Sequence, residues 1–124
     1  VLSLYPDSLI VRTSAFFGPW DEHNFVTKTL RTLVSKNEVV APKDMYVSPT
    51  YVPDLANETL NLLIDGEKGI FHITNVGEVS WEEFAVKAAN FAEDHFEIDS
   101  KLIRGVSTEE LSLKAKRPKR SVLR

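Results

Sequence analysis

Apolar positions along the chain change their spacing several times, and each change marks a structural element. Leu9-Ile10-Val11 is an unbroken apolar run between the turn signal Pro6-Asp7-Ser8 and the polar Arg12-Thr13-Ser14. Such a run suits a short strand buried on both faces, as in a parallel sheet. Phe16-Phe17-Gly18-Pro19-Trp20 follows as an aromatic loop. From Asn24, a good helix cap, the residues Phe25, Val26, Leu30, Leu33 and Val34 recur on one helical face. They predict a helix running to about Lys36 and closed by Asn37. Val39-Val40-Ala41 is a second short strand, stopped by Pro42. Ser48-Pro49-Thr50-Tyr51 reads as a stiff loop leading into a helix, where Pro53 fits the first turn and Asp54 faces the positive end of the dipole. Leu55, Ala56, Thr59, Leu60 and Leu63 form the predicted buried stripe of that helix, and Asp65-Gly66 ends it.

The second half repeats the alternation. Ile70 to Thr74 reads as a strand. Ser80-Trp81-Glu82-Glu83 is a capping box, in which the Ser hydroxyl and the Glu carboxylate each satisfy an orphan backbone donor. Trp81, Phe84, Ala85, Ala88, Phe91, Ala92 and Phe96 make a long amphipathic face behind it. Leu102-Ile103 opens a last strand, and Ser107-Thr108-Glu109-Glu110 reads as a second capping box before a short helix. Regular alternation of strand and helix predicts an α/β fold of mixed layers, with short strands and amphipathic helices.

The chain of 124 residues is one domain at most. Its 43% apolar and 10% aromatic content is enough for a core. It has no cysteine, which removes disulfides, thiol catalysis and thiolate zinc sites together. No apolar run approaches the roughly 20 residues of a membrane span, and the N-terminus lacks the pattern of a secretory leader. The expectation is a cytoplasmic protein with no membrane partner. The first residues, Val1, Leu2, Leu4 and Tyr5, are mostly apolar and have no cap before them. They read as the last turn of a helix begun elsewhere, so the chain is expected to be a piece of something longer.

Charge is the most uneven property. From Lys114 onward there are six Lys or Arg and no acid, in a chain whose net charge is −3. A basic segment closing an acidic chain is either a solvated tail or a holder of anions such as a diphosphate. The acidic remainder argues against a nucleic-acid partner. Within the tail, Arg117 and Arg120 offer planar forks suited to phosphate oxygens, and Pro118 stiffens the backbone between them.

The usual catalytic constellations are missing. His23, His72 and His95 are scattered without metal-ligand spacing, so no metal is expected. The five glycines are isolated, with no dinucleotide fingerprint or phosphate loop, and there is no nucleophile elbow. No catalytic residue is assigned within the chain. Recognition-type residues remain: the Phe16 to Trp20 loop, placed where open α/β sheets bind ligands, the hydroxyls of Ser48 and Thr50, and the tail arginines.

Several segments together resemble the extended short-chain dehydrogenases/reductases, and within them the dTDP-4-dehydrorhamnose reductase family. They are Leu9-Ile10-Val11-Arg12-Thr13-Ser14 with Phe17-Gly18-Pro19, Asn24-Phe25, and Ser48-Pro49-Thr50-Tyr51-Val52 with Asp54-Leu55-Ala56. Further on are Gly69-Ile70-Phe71-His72-Ile73, Gly77-Glu78 with Ser80-Trp81 and Phe84-Ala85, and Arg117-Pro118 with Ser121 and Leu123. The chain departs from that pattern at Ala15, where the family often has Trp, and at Arg120, where it often has Asn. The resemblance implies the C-terminal substrate-binding lobe of an extended Rossmann-type reductase over residues 1–124, with 9–14 as a strand joining the Rossmann sheet of a missing N-terminal part.

It also implies a parent oxidoreductase of dTDP-rhamnose and polysaccharide biosynthesis, which reduces the 4-keto group of a dTDP-sugar with NADPH or NADH. The missing part would carry the cofactor and a Tyr/Lys pair. This chain alone would be inactive and would associate with itself. By the same resemblance Ser14, Phe16, Phe17 and Gly18 line the sugar and nicotinamide side. Asn24, Phe25, Ser48, Pro49 and Thr50 lie toward the sugar nucleotide, and Arg117, helped by Arg120, faces the diphosphate or the pocket rim. The alternative is a non-catalytic nucleotide-sugar-binding or regulatory subunit of the same fold.

Overall fold

A computed structural model describes residues 1–123. Its strands are β1 (Leu9–Arg12), β2 (Phe16–Phe17), β3 (Val39–Pro42), β4 (Tyr46–Val47), β5 (Thr50–Tyr51), β6 (Gly69–His72), β7 (Val79–Ser80), β8 (Ile103–Val106) and β9 (Arg120–Ser121). Its helices are α1 (Phe25–Val34), α2 (Val52–Ile64) and α3 (Trp81–Ala92). Among the described residues the strands form four small sheets. Three are parallel pairs, β1–β6, β2–β5 and β3–β8; the fourth has β4 between antiparallel β7 and parallel β9. This is the expected α/β alternation. The two-residue strands β2, β5, β7 and β9 lie in segments the sequence reads as loops, a cap or tail, and β4 lies in a stretch to which the sequence assigns no element. Pairing partners far away in the chain make them strands.

The core forms where α1 and α3 cover β3. Leu33, Ala41, Ala85 and Ala89 are fully buried, and Ile98, Leu102 and Ile103 close over Leu33, Val39 and Ala89. Small residues on α3 let it approach the sheet closely. Asn24 caps α1: its Oδ1 accepts from the Thr27 amide at 2.9 Å. Ser80 and Glu83 complete the predicted capping box on α3, worth about 1 kcal/mol.

Four expectations need correction. The stripe on α2 is not buried: Leu60 is 57% exposed, Leu63 56% and the neighbouring Ile64 81%, because no other element among the described residues lies over them. β1 is half-buried rather than enclosed on both faces, since β6 is its one neighbour among the described residues. The α3 face stops at Ala92, and beyond the core Phe91 is 85% and Phe96 55% exposed. Ser107 forms no cap, and a single turn of 3₁₀ helix, Thr108–Glu110, replaces the expected short helix. The Glu110 amide donates to the Ser107 carbonyl, and the Thr108 amide donates to the Asp44 carboxylate, 64 residues away. At the start of α2, Tyr51 supplies no cap. Asn75 ties it from outside, accepting from the Tyr51 amide at 2.7 Å and donating to Asp54 at 2.9 Å.

Candidate functional site

The α1 and α3 N-termini, the β4 segment and the basic tail converge on a cavity of about 420 Å³, within the size range of small-molecule sites. Its aromatic wall is built by two helix starts. Phe25 follows the Asn24 cap and Trp81 follows the Ser80 cap, and their rings meet edge to face with centroids 4.6 Å apart. Phe84 stacks behind Phe25 at 5.6 Å. Trp81 reads from its sequence stripe as a core residue, yet it is half-buried and lines the cavity. Tyr46 and Met45 add further apolar lining, and Leu111 and Leu113, with Arg117 and Pro118 of the tail, close the side.

The structure brings Ser14, Phe25 and Arg117 together at this cavity. Ser14 Oγ donates to the Ser121 carbonyl at 2.8 Å, tying the loop after β1 to β9. Ala15, also in the lining, holds a φ of +42°. That left-handed conformation disfavours a side chain and marks a sharply turned loop. Arg117 is exposed and has no ion pair among the described residues.

The other candidate residues lie outside this lining. Phe17 packs on Tyr51 and Phe84. With Pro49 it lines a separate apolar groove of about 540 Å³ between α1 and α3. Phe16 is 57% exposed on β2. Gly18 sits against Val52, and its carbonyl accepts from the Asn24 amide group. Asn24 therefore spends its side chain on Gly18, Asp21 and the α1 cap. Ser48 and Thr50 are buried, their hydroxyls bonded to Leu123 and to the Ser14 carbonyl. Arg120 pairs with Glu78 across the sheet. These residues lie outside the cavity wall, several of them in strand pairing or turns beside it, whereas Ser14, Phe25 and Arg117 line it.

Three contributions were not legible in sequence. Tyr46 and Trp81 enter the site only because β4 and the α3 start meet. Asp44 gathers the two ends of the tail segment: Oδ1 accepts from the Thr108 hydroxyl at 2.6 Å and the Thr108 amide at 2.8 Å, and Oδ2 pairs with Lys119 at 3.5 Å. The Thr108 hydroxyl holds the Asp44 carboxyl below its ordinary value despite partial burial. A lowered pKa means the contact stabilises the fold above the ordinary carboxylate range and is lost as pH falls through the lowered value. The Thr13 hydroxyl, just past β1, is a buried side-chain polar atom without a partner among the described residues.

No cradle for a dinucleotide pyrophosphate is present among the described residues. Gly66, Gly69 and Gly77 face open space, and Gly18 and Gly105 are backed by the Val52 and Glu82 side chains. Among the same residues no helix is long and apolar enough to cross a membrane.

Comparison with known proteins agrees with this architecture. The chain is 39% identical over 117 residues to the spore coat polysaccharide biosynthesis protein SpsK of Bacillus subtilis, covering 94% of this chain and 39% of that protein. It is 32% identical to a dTDP-4-dehydrorhamnose reductase of Aggregatibacter actinomycetemcomitans, covering 99% of this chain and 44% of the relative. A solved dTDP-4-dehydrorhamnose reductase of Bacillus anthracis in complex with NADP superposes with a TM-score of 0.83 at 35% identity, over 94% of this chain and 39% of that one. The chain thus spans less than half the length of these relatives. The family model of the RmlD substrate binding domain matches residues 1–124, and the chain belongs to that family.

Proposed function

We propose that the chain is the substrate-holding part of an NAD(P)H-dependent reductase of the dTDP-4-dehydrorhamnose type, acting in the cytoplasm in polysaccharide biosynthesis. The reading rests chiefly on the match of the whole chain to a substrate-binding domain family whose relatives include such reductases. The cavity suits the task. The Phe25–Trp81 wall offers flat apolar surface to a base or sugar ring, and Arg117 offers a fork to phosphate oxygens. Ser14 would sit nearest the sugar. Phe16, Phe17, Gly18, Asn24, Ser48, Pro49, Thr50 and Arg120 would support the site from behind. The cofactor and the proton donor would come from a preceding part, whose strands would extend the β1–β6 pair and whose surface would cover α2. The cofactor would supply the hydride to the keto carbon. This chain's residues would hold the sugar nucleotide and exclude water.

The parent protein, given NADPH and dTDP-4-dehydrorhamnose, is expected to consume reduced cofactor, and the isolated chain is not. Absorbance of the reduced nicotinamide reads both. Turnover by the isolated chain would overturn the division of labour. Tight dTDP-sugar binding by the parent without turnover would select the non-catalytic subunit instead.

The exposed α2 face carries a second expectation. Leu60, Leu63 and Ile64 form an apolar patch of the kind that seeks a cover. The isolated chain should therefore associate with itself, reading as a dimer or larger in light scattering at micromolar concentration. The parent, with α2 covered, should lose this tendency. A clean monomer of the isolated chain would show that the patch tolerates water.

A further inference from the structure

The segment between Thr108 and Lys119 leaves the sheet, runs along the side of the cavity and returns. Leu111, Leu113 and Arg117 of this arm line the cavity, yet most of the arm is exposed and it has little packing of its own. Both of its ends are tied to one short stretch of chain. At the start, the Lys43 amide donates to the Val106 carbonyl at 2.9 Å, and Thr108 donates twice to Asp44. At the return, the Tyr46 amide donates to the Lys119 carbonyl at 2.9 Å, and the Lys119 ammonium reaches the same Asp44 carboxylate.

We propose that Asp44 is a positioning residue, a latch that closes the 108–119 arm over the cavity and so holds Arg117 where a nucleoside diphosphate is bound. Asp44 does not need to touch the ligand. It sits where the arm departs and where it returns, and the arm carries an arginine without an acidic partner among the described residues. Hydrogen bonds to a carboxylate are stronger than neutral ones, and the two from Thr108 define the geometry. The Lys119 contact, on a side chain 68% exposed, adds little. An exposed arm with few contacts of its own is the kind of segment that opens locally when a tether is cut.

The ligand part of this inference rests on the proposed function; the latch itself does not. The test uses the full-length parent protein and two readouts: the dissociation constant for dTDP, and the rate at which trypsin cuts after Lys114 and Lys116, both on the arm. Asp44→Ala should speed arm cleavage and weaken dTDP binding. If the closed arm falls to a tenth of the population, the apparent constant rises about tenfold. Thr108→Val, which removes the hydroxyl at nearly constant shape, should act in the same direction more weakly. Thr108→Ser, which keeps the donor, should restore both readouts, a rescue that loss of general packing would not produce. Saturating dTDP should slow cleavage of the wild-type arm. If Asp44→Ala fails to fold, the Thr108 pair decides. Unchanged cleavage and unchanged binding in Asp44→Ala and Thr108→Val would overturn the latch. Faster cleavage with unchanged dTDP affinity would overturn the arm's part in binding. No dTDP binding by the wild type would overturn the proposed function, while cleavage rates still judge the latch.

Discussion

Leu33→Ala is expected to destabilise the fold by about 2–5 kcal/mol, the range for removing a large buried aliphatic side chain. Leu33 is fully buried. It projects from α1 into the space between β3 and α3, against Val39 and Ala89, with Ile98, Leu102 and Ile103 closing the far side. Those neighbours come from four separate stretches of chain, so the void cannot be filled by one side chain moving. The effect also reaches the site, because α1 carries Phe25 at its start and α3 carries Trp81. Urea unfolding followed by tryptophan fluorescence would measure it. A loss below about 0.5 kcal/mol, the level of ordinary surface changes, would mean that the α1–β3–α3 layer is not the organising core.

In the full-length parent, Arg117→Ala is expected to weaken dTDP binding by about 1.5–3 kcal/mol, the scale of a hydrogen bond to a charged group. Lys119→Ala should stay within about 0.5 kcal/mol. The residues are two positions apart on the same basic tail, but their settings differ. Arg117 lines the cavity and has no ion-pair partner among the described residues. The Lys119 ammonium is paired with Asp44, and its backbone is held in the β4–β9 region. A guanidinium engages two oxygens at once, whereas an ammonium acts as a point charge. Arg120, paired with Glu78, should resemble Lys119. Calorimetric titration with dTDP separates these cases. Equal small losses at 117 and 119 would reduce the tail to nonspecific charge.

The elements that were legible in the sequence are those with a local cause. The α1 and α3 starts follow from Asn24 and Ser80, whose short polar side chains reach amides three residues ahead. The capping box at Ser80 formed, whereas the similar Ser107 pattern did not: the Glu110 amide donates to the Ser107 carbonyl in a 3₁₀ turn, and the Ser107 hydroxyl turns to the Glu110 carboxylate. The same residue pattern can close a 3₁₀ turn instead of capping an α-helix. The apolar stripe on α2 shows the opposite limit. Periodicity says which face of a helix seeks cover, but not whether the cover lies in the same chain.

The sequence by itself determined the α/β alternation, the helix starts, the concentration of positive charge in the tail and the family resemblance. All of these depend on residue type at short spacing. Only the tertiary structure decided that Trp81 lines a cavity beside Phe25, that Asn24 is consumed by its own turn, that Arg120 is paired and Arg117 is not, and that Asp44 joins both ends of the arm. Asn24 is held by neighbours within six residues, whereas the Trp81, Arg120 and Asp44 placements depend on pairing between segments dozens of residues apart. Such pairing leaves no periodic trace in either segment, because its hydrogen bonds are made by backbone groups that nearly every residue carries.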